Sequence, residues 1–210
     1  MPELDHLVFA SRDLDEGIAH VEWLTGVAAS PGGAHPGMGT LNALISFDAR
    51  TYLEIIGADP EQPDSPGPRP YGLDDGHRPR LAAYAVRPSA GETIEHVAST
   101  MAAHGFELTD PVPMSRRRPD GVELEWRIAF PATPAAFADG ALPFVIDWGG
   151  TPSPAATAPT AGPLTGFEVH HPDPAVRAAL AALDLGINGV DGPPALVATL
   201  DVRAGPVELR

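Results

Sequence analysis

Two side chains able to bind a metal or move a proton stand alone inside apolar runs. His6 lies in Leu4-Asp5-His6-Leu7-Val8-Phe9-Ala10, and Glu54 in Tyr52-Leu53-Glu54-Ile55-Ile56. Each run is short and otherwise reads as a buried strand. Such a side chain is costly to bury unless something satisfies it. A divalent cation would satisfy both, and so would a polar ligand in a metal-free pocket lined by a hydrogen-bonded pair.

Further polar residues could join them. His35 sits in a Gly- and Pro-rich stretch and reads as a contact at a cavity mouth or as an exposed loop histidine. Asn42 would hydrogen-bond a ligand from its strand, or satisfy a backbone group. Arg116, Arg117 and Arg118 form the basic cluster of an acidic chain. A guanidinium fork there would capture a substrate carboxylate or phosphate. The plainer reading is a charged hairpin beside a Pro119-Asp120-Gly121 turn. Trp126 belongs to the alternating run Val122-Glu123-Leu124-Glu125-Trp126-Arg127-Ile128 and reads as core or pocket wall. His170 and His171 are adjacent on a strand, face opposite ways and make a poor chelate.

The elements that would position these residues repeat. Leu4 to Ala10 reads as a strand. Ser11 is a candidate cap for a helix carrying Leu14, Ile18, Val21 and Leu24, which Gly26 ends. Ser30 to Gly39 reads as loop, and Leu41 to Phe47 and Thr51 to Ile56 as strands. Residues 58–79 form a connection. Leu81 to Val86 then reads as a strand, Glu92 to His104 as a helix, and Phe106 to Pro113, Val122 to Phe130 and Pro143 to Trp148 as strands. A Pro-, Ala- and Thr-rich linker follows at 150–163. Strand, helix and two strands then recur between Leu164 and Leu209. The reading is an α+β chain: modules at 1–57 and 80–149, and a degenerate third βαββ unit at 164–210.

Side chains alternate across a strand. Leu7, Phe9, Leu53 and Ile55 would lie under helices, which turns His6 and Glu54 to the opposite, concave face. Asp147 takes in its unit the place that Glu54 takes in the first. Arg116 and Arg118 share one face and Arg117 the other.

These segments resemble the vicinal oxygen chelate superfamily, which includes glyoxalase I, extradiol dioxygenases and bleomycin-resistance proteins. Gly33 to Asn42, Ser115 to Gly121 and Leu142 to Trp148 resemble its glyoxalase-like domain branch. The resemblance implies tandem βαβββ modules with curled mixed sheets around a shared cavity. It implies His6, Glu54 and Asp147 as ligands of a divalent metal (Mn, Fe, Zn or Ni), with His77 as a further nitrogen donor. The first-strand position of the second module holds Ala83 where a catalytic member carries His or Gln. Metal-assisted isomerase, lyase or dioxygenase chemistry on a small oxygen-bearing metabolite is then expected, with Glu54 as the catalytic proton-transfer group. A metal-free small-molecule binding or drug-sequestering protein is the alternative. His35, Asn42, Arg116 and Trp126 would contact the ligand. Both a monomer and a homodimer remain open.

Composition narrows the classes. The 210-residue chain is 43% hydrophobic, enough for a substantial core, and its formal net charge is −15. That balance argues against nucleic acid or an anionic membrane as partner and for a small molecule. All 13 basic residues are Arg, which excludes lysine Schiff-base chemistry, and the absence of Cys excludes disulfides and thiolates. The abundance of Pro, Gly, Ala and Arg resembles the coding bias of a GC-rich bacterial genome. No apolar run is long enough to span a membrane, and Met1 leads directly into a strand, so a cytoplasmic protein is expected. No nucleophile elbow, phosphate loop, dinucleotide-binding glycine motif or HExxH occurs.

Overall fold

The first unit runs β1 (Glu3–Ala10), α1 (Leu14–Thr25), β2 (Ser30–His35), β3 (Thr40–Ser46) and β4 (Tyr52–Ala58). The second runs β5 (Arg80–Arg87), α2 (Ile94–Ala103), β6 (Val112–Arg117), β7 (Glu123–Ala129), a one-turn α3 (Pro134–Phe137) and β8 (Phe144–Asp147). The structure, a computed structural model, describes residues 1–64, 66–118 and 121–210, so Pro119 and Asp120 of the expected turn lie outside the described residues. The eight strands form one mixed sheet in the order β2-β3-β4-β1-β5-β8-β7-β6. That order reads the same from either edge: β1 pairs parallel with β4, β5 pairs parallel with β8, and the halves join through antiparallel β1 and β5. The sheet curls until its edge strands meet. A Cβ on Gly33 of β2 would stand 2.8 Å from the Arg117 carbonyl oxygen of β6.

The alternation expected from the sequence holds on β1 and β4. Leu7, Phe9, Leu53 and Ile55 pack on the outer face with Val21 of α1 and with Ile94, Val97 and Met101 of α2. Burying each of the large ones contributes about 1.5–3 kcal/mol. Asp13, not Ser11, caps α1, accepting from the Asp15 and Glu16 amides. Ser11 is still held to the sheet through its own N–H on Ile56, so the helix begins two residues later. Gly26 ends α1 in the left-handed region with φ 73°.

Two strands lie elsewhere than the sequence suggests. Ser30–His35, expected as loop, is edge strand β2, where Pro31 costs no ladder bond that matters and a bulge between Pro31 and Gly33 adjusts the register. The strand expected over Phe106 to Pro113 begins at Val112; Leu108 makes an isolated bridge to Pro131.

The C-terminal unit is β9 (Leu164–His170), α4 (Pro174–Ala182), β10 (Asn188–Val190), β11 (Ala195–Val202) and β12 (Gly205–Leu209), in sheet order β10-β9-β11-β12. The sequence reading missed β10. This unit packs on the outer face of the large sheet, with Phe167 edge-on to Tyr84 at 5.1 Å. The 150–163 segment is docked rather than free: the Ser46 N–H donates to Pro159 at 2.7 Å, and the Ala161 N–H donates to Ser46 at 2.9 Å. No described helix is long and apolar enough to cross a membrane.

Candidate functional site

The inner face of the curled sheet encloses a cavity whose two halves differ in chemistry. The first unit supplies His6 from β1, His35 from β2, Asn42 from β3, and Tyr52 and Glu54 from β4. The second supplies Met114 and Arg116 from β6, Trp126 and Ile128 from β7, and Phe144 and Ile146 from β8. The connection at 58–79 adds Pro70 and Tyr71. The polar groups therefore crowd one side, and Arg116 alone of the charged lining comes from the other.

His6 is held in one tautomer. Its Nδ1 lies 2.7 Å from Asp5 Oδ1, and both side chains are buried. A carboxylate only accepts, so the neutral imidazole carries its hydrogen on Nδ1 and leaves Nε2 as an acceptor. Asp5 reaches His6 because the β1–β5 register slips between Leu4 and His6, which breaks strict alternation there. Its other oxygen accepts from Arg87 Nη1 and Trp148 Nε1, each at 3.2 Å. Tyr52 stacks on the His6 ring at 4.6 Å, and Phe144 meets it edge-on at 5.4 Å. His6 Nε2 then faces Glu54 Oε2 at 3.8 Å.

Glu54 is fixed from its other oxygen. Asn42 Nδ2 donates to Glu54 Oε1 and stands 3.3 Å from His35 Nε2, while Asn42 Oδ1 accepts from Arg116 at 3.2 Å. Thr40 Oγ1 is 2.9 Å from His35 Nδ1. Burial lowers the His35 pKa, an effect that the Glu54 charge opposes and the Arg116 charge reinforces. His35 is thus neutral, with Nε2 accepting from Asn42. Burial raises the Tyr71 hydroxyl, and the Glu54 charge raises it further, so Tyr71 remains a donor. Tyr52 is raised by burial and then by Asp5 and Glu54.

Of the residues singled out in the sequence, His6, Glu54, His35, Asn42, Arg116 and Trp126 all line this cavity. Asp147 does not. On β8 the inward residues are Phe144 and Ile146, followed by Trp148, while Asp147 shares parity with Val145 of the outer core. Its carboxylate accepts from the Gly149 N–H at 2.9 Å instead. His77 is exposed beside Asp75 and supplies nothing here. Arg117 is exposed, as its parity required. Asp5 and Tyr71 went unnoticed in the sequence. An acid directly preceding the lone histidine was the available signal for Asp5; Tyr71, in an irregular segment with φ 60°, had none.

The expected metal set is therefore not assembled. Among the described residues no three His, Cys, Asp or Glu side chains converge as metal ligands. Glu54 Oε1 and His35 Nε2 face the Asn42 amide hydrogens, and the Arg116 guanidinium adds positive charge to the same cluster. The expected set of His6, Glu54 and Asp147 thus does not fit a resident divalent ion, because Asp147 turns to the Gly149 amide and Glu54 Oε1 is taken by Asn42.

A family model described as glyoxalase-like domain matches residues 4–184. No curated protein matches the chain. Among solved structures, a hypothetical protein from Staphylococcus aureus has a TM-score of 0.69 at 13% identity, covering 99% of this chain and 98% of that one. Streptomyces coelicolor methylmalonyl-CoA epimerase, in complex with 2-nitronate-propionyl-CoA, has a TM-score of 0.47 at 18% identity, covering 72% of this chain and 97% of that one. The Mycobacterium tuberculosis methylmalonyl-CoA epimerase has a TM-score of 0.45 at 18% identity, covering 68% and 84%. At 13% identity the Staphylococcus likeness is one of fold, and it extends through the C-terminal unit.

Proposed function

The chain belongs to the glyoxalase-like domain family, and on that premise we propose that it is an enzyme moving a proton on a small carbonyl-bearing metabolite. The observation that carries this reading is the pair His6 Nε2 and Glu54 Oε2, 3.8 Å apart, open to the cavity and each held from behind. Glu54 Oε2 takes a proton from the carbon next to the carbonyl, and the C–H electron pair moves through carbon onto the carbonyl oxygen. The resulting enolate oxygen accepts a hydrogen bond from the Tyr71 hydroxyl. The proton then returns to carbon: back from Glu54 to the face it left, which gives hydrogen exchange alone, or by way of His6 Nε2 to the opposite face, which inverts the carbon. The net result is epimerisation or isomerisation, and no bond other than C–H need break. Asp5 and Asn42 are positioning residues: they set the His6 tautomer and the Glu54 orientation.

The test is hydrogen exchange. Short 2-oxo acids, ketones and aldehydes are incubated with the protein in D2O and followed by proton NMR. The reading expects catalysed exchange of the hydrogen next to the carbonyl, reduced by about 10²–10⁴ in Glu54→Gln and in His6→Ala. A ligand that binds and is never exchanged would instead support a metal-free binding protein. Added Mn²⁺, Fe²⁺, Ni²⁺ or Zn²⁺ should leave exchange unchanged. A metal-stimulated rate would return Glu54 and His6 to metal-assisted chemistry.

A further inference from the structure

Arg116 is a cation that the protein buries and does not neutralise. It is 4% exposed, and among the described residues no carboxylate lies within ion-pair distance of it. Among the described residues its one side-chain hydrogen bond is that which Nη1 donates to the neutral amide oxygen of Asn42. A guanidinium carries five N–H donors. No fully buried polar side-chain atom among the described residues lacks a partner. The uncommitted N–H groups of Arg116 are therefore open to the cavities it borders: the inner one, and a second bounded by Ser30, Leu44, Leu124 and Pro154.

The surroundings are shaped to hold that cation in place. A Cβ on Gly32 would collide with Asn42 Oδ1 and stand 2.5 Å from Arg116 Nη1. Only a residue without a side chain lets β2 pass over the Asn42–Arg116 bond. An unpaired buried charge is costly, and here one amide oxygen offsets little of that cost. An anion arriving from solvent would offset the rest.

Resting on the proton-transfer reading for its orientation, we infer that the substrate is a small monocarboxylate with an apolar body. Its carboxylate seats on the Arg116 guanidinium, and its hydrocarbon part lies against Met114, Ile128, Phe144 and Ile146. A planar carboxylate matches two parallel guanidinium N–H bonds. One negative charge neutralises Arg116; a phosphate dianion would leave an excess beside Glu54, which already brings its own charge to this cluster. Phe144 packs against His6, so a body lying on that wall brings its carbon atoms toward the acid–base pair.

Calorimetric titration of the full chain with 2-oxohexanoate, 2-oxohexanamide and inorganic phosphate tests this. The acid should bind at least about tenfold more tightly than the amide of the same shape, with phosphate weaker than the acid. Arg116→Gln should abolish the preference for acid over amide. Glu54→Gln and His6→Ala should keep that preference while losing exchange. Equal binding of acid and amide, tighter binding of phosphate, or no binding of any probe would overturn the inference. So would an Arg116→Gln protein that still prefers the acid. The acid–amide comparison needs no variant, so a poorly folded Arg116→Gln leaves the answer intact. Preferred binding of the acid without exchange would sink the proton-transfer reading and spare this one.

Discussion

Replacing Asp5 by Asn probes the group behind His6 rather than His6 itself. Asp5 accepts from three donors: His6 Nδ1 at 2.7 Å, Arg87 Nη1 at 3.2 Å and Trp148 Nε1 at 3.2 Å. An amide keeps one oxygen and turns the other into an NH2 donor. If its oxygen stays with Arg87 and Trp148, the NH2 faces His6 Nδ1, and the imidazole must carry its hydrogen on Nε2 instead. That hydrogen then points toward Glu54, and the acceptor is lost from the cavity. A hydrogen bond to a charged group contributes about 1.5–3 kcal/mol, and one such bond is replaced by a weaker neutral one. A net loss of about 2 kcal/mol lowers the melting temperature by roughly 4–8 °C in a chain of this size. Arg87 retains Glu3 at 2.9 Å, so its own charge is not stranded. Nitrogen-15 NMR of the His6 ring would report the tautomer, and calorimetry the stability. Exchange should fall by about 10²–10⁴. A melting point within 1 °C of the parent, with the His6 tautomer unchanged, would refute the role given to Asp5.

Three further changes have definite outcomes. Gly32→Ala should break the Asn42–Arg116 bond and weaken carboxylate binding while costing about 1–3 kcal/mol, read from thermal unfolding and calorimetric titration. Asp147→Asn should leave carboxylate binding and exchange unaltered, because its carboxylate turns to the Gly149 amide and away from the cavity; an effect comparable to Glu54→Gln would contradict that placement. His35 has a folded pKa below its unfolded value of about 6.5, chiefly through burial, so the unfolded state binds more protons between the two. Stability contributed at His35 is therefore present above about pH 6.5 and lost as pH falls from there toward the folded value. His35→Gln should flatten that part of a melting-temperature–pH profile, and an unchanged slope would refute the assignment.

What the sequence revealed of the site was what strand alternation governs. His6 on β1 and Glu54 on β4 turn inward because their neighbours Leu7, Phe9, Leu53 and Ile55 must turn outward into the helix-covered core. Arg116 separates from Arg117 for the same reason. Alternation also groups Asp147 with Val145 against Phe144 and Ile146, but it does not say which of the two faces is inward, and on β8 the inward face is that of Phe144 and Ile146. Asp5 was hidden by a register slip, which no alternation pattern reveals. His35 was assigned to a loop because Pro31, Gly32 and Gly33 look like turn residues. Gly32 is small for another reason: two side chains from other strands meet where its Cβ would be. Tyr71 enters from the irregular connection in a left-handed conformation, which no periodicity marks.

The two halves of the sheet repeat one topology but have divided the chemistry between them. The first unit keeps every proton-accepting group of the cavity: His6, His35 and Glu54. In the second, β5 presents Ala83 and Ala85 on the cavity side, and Ala85 pairs with both His6 and Phe144 across its two neighbouring strands. A small side chain at that point leaves the space beside His6 to the Phe144 ring, which meets the imidazole edge-on. Ala85 thus makes room for the apolar wall beside His6. A ring of four ligands around a symmetric centre suits a metal that holds its substrate between the units. One polar half facing one apolar half, with a single buried cation at the seam, suits a substrate that is itself polar at one end and apolar at the other. The asymmetry, rather than any one residue, supports placing the proposed acid–base pair and Arg116 in one function.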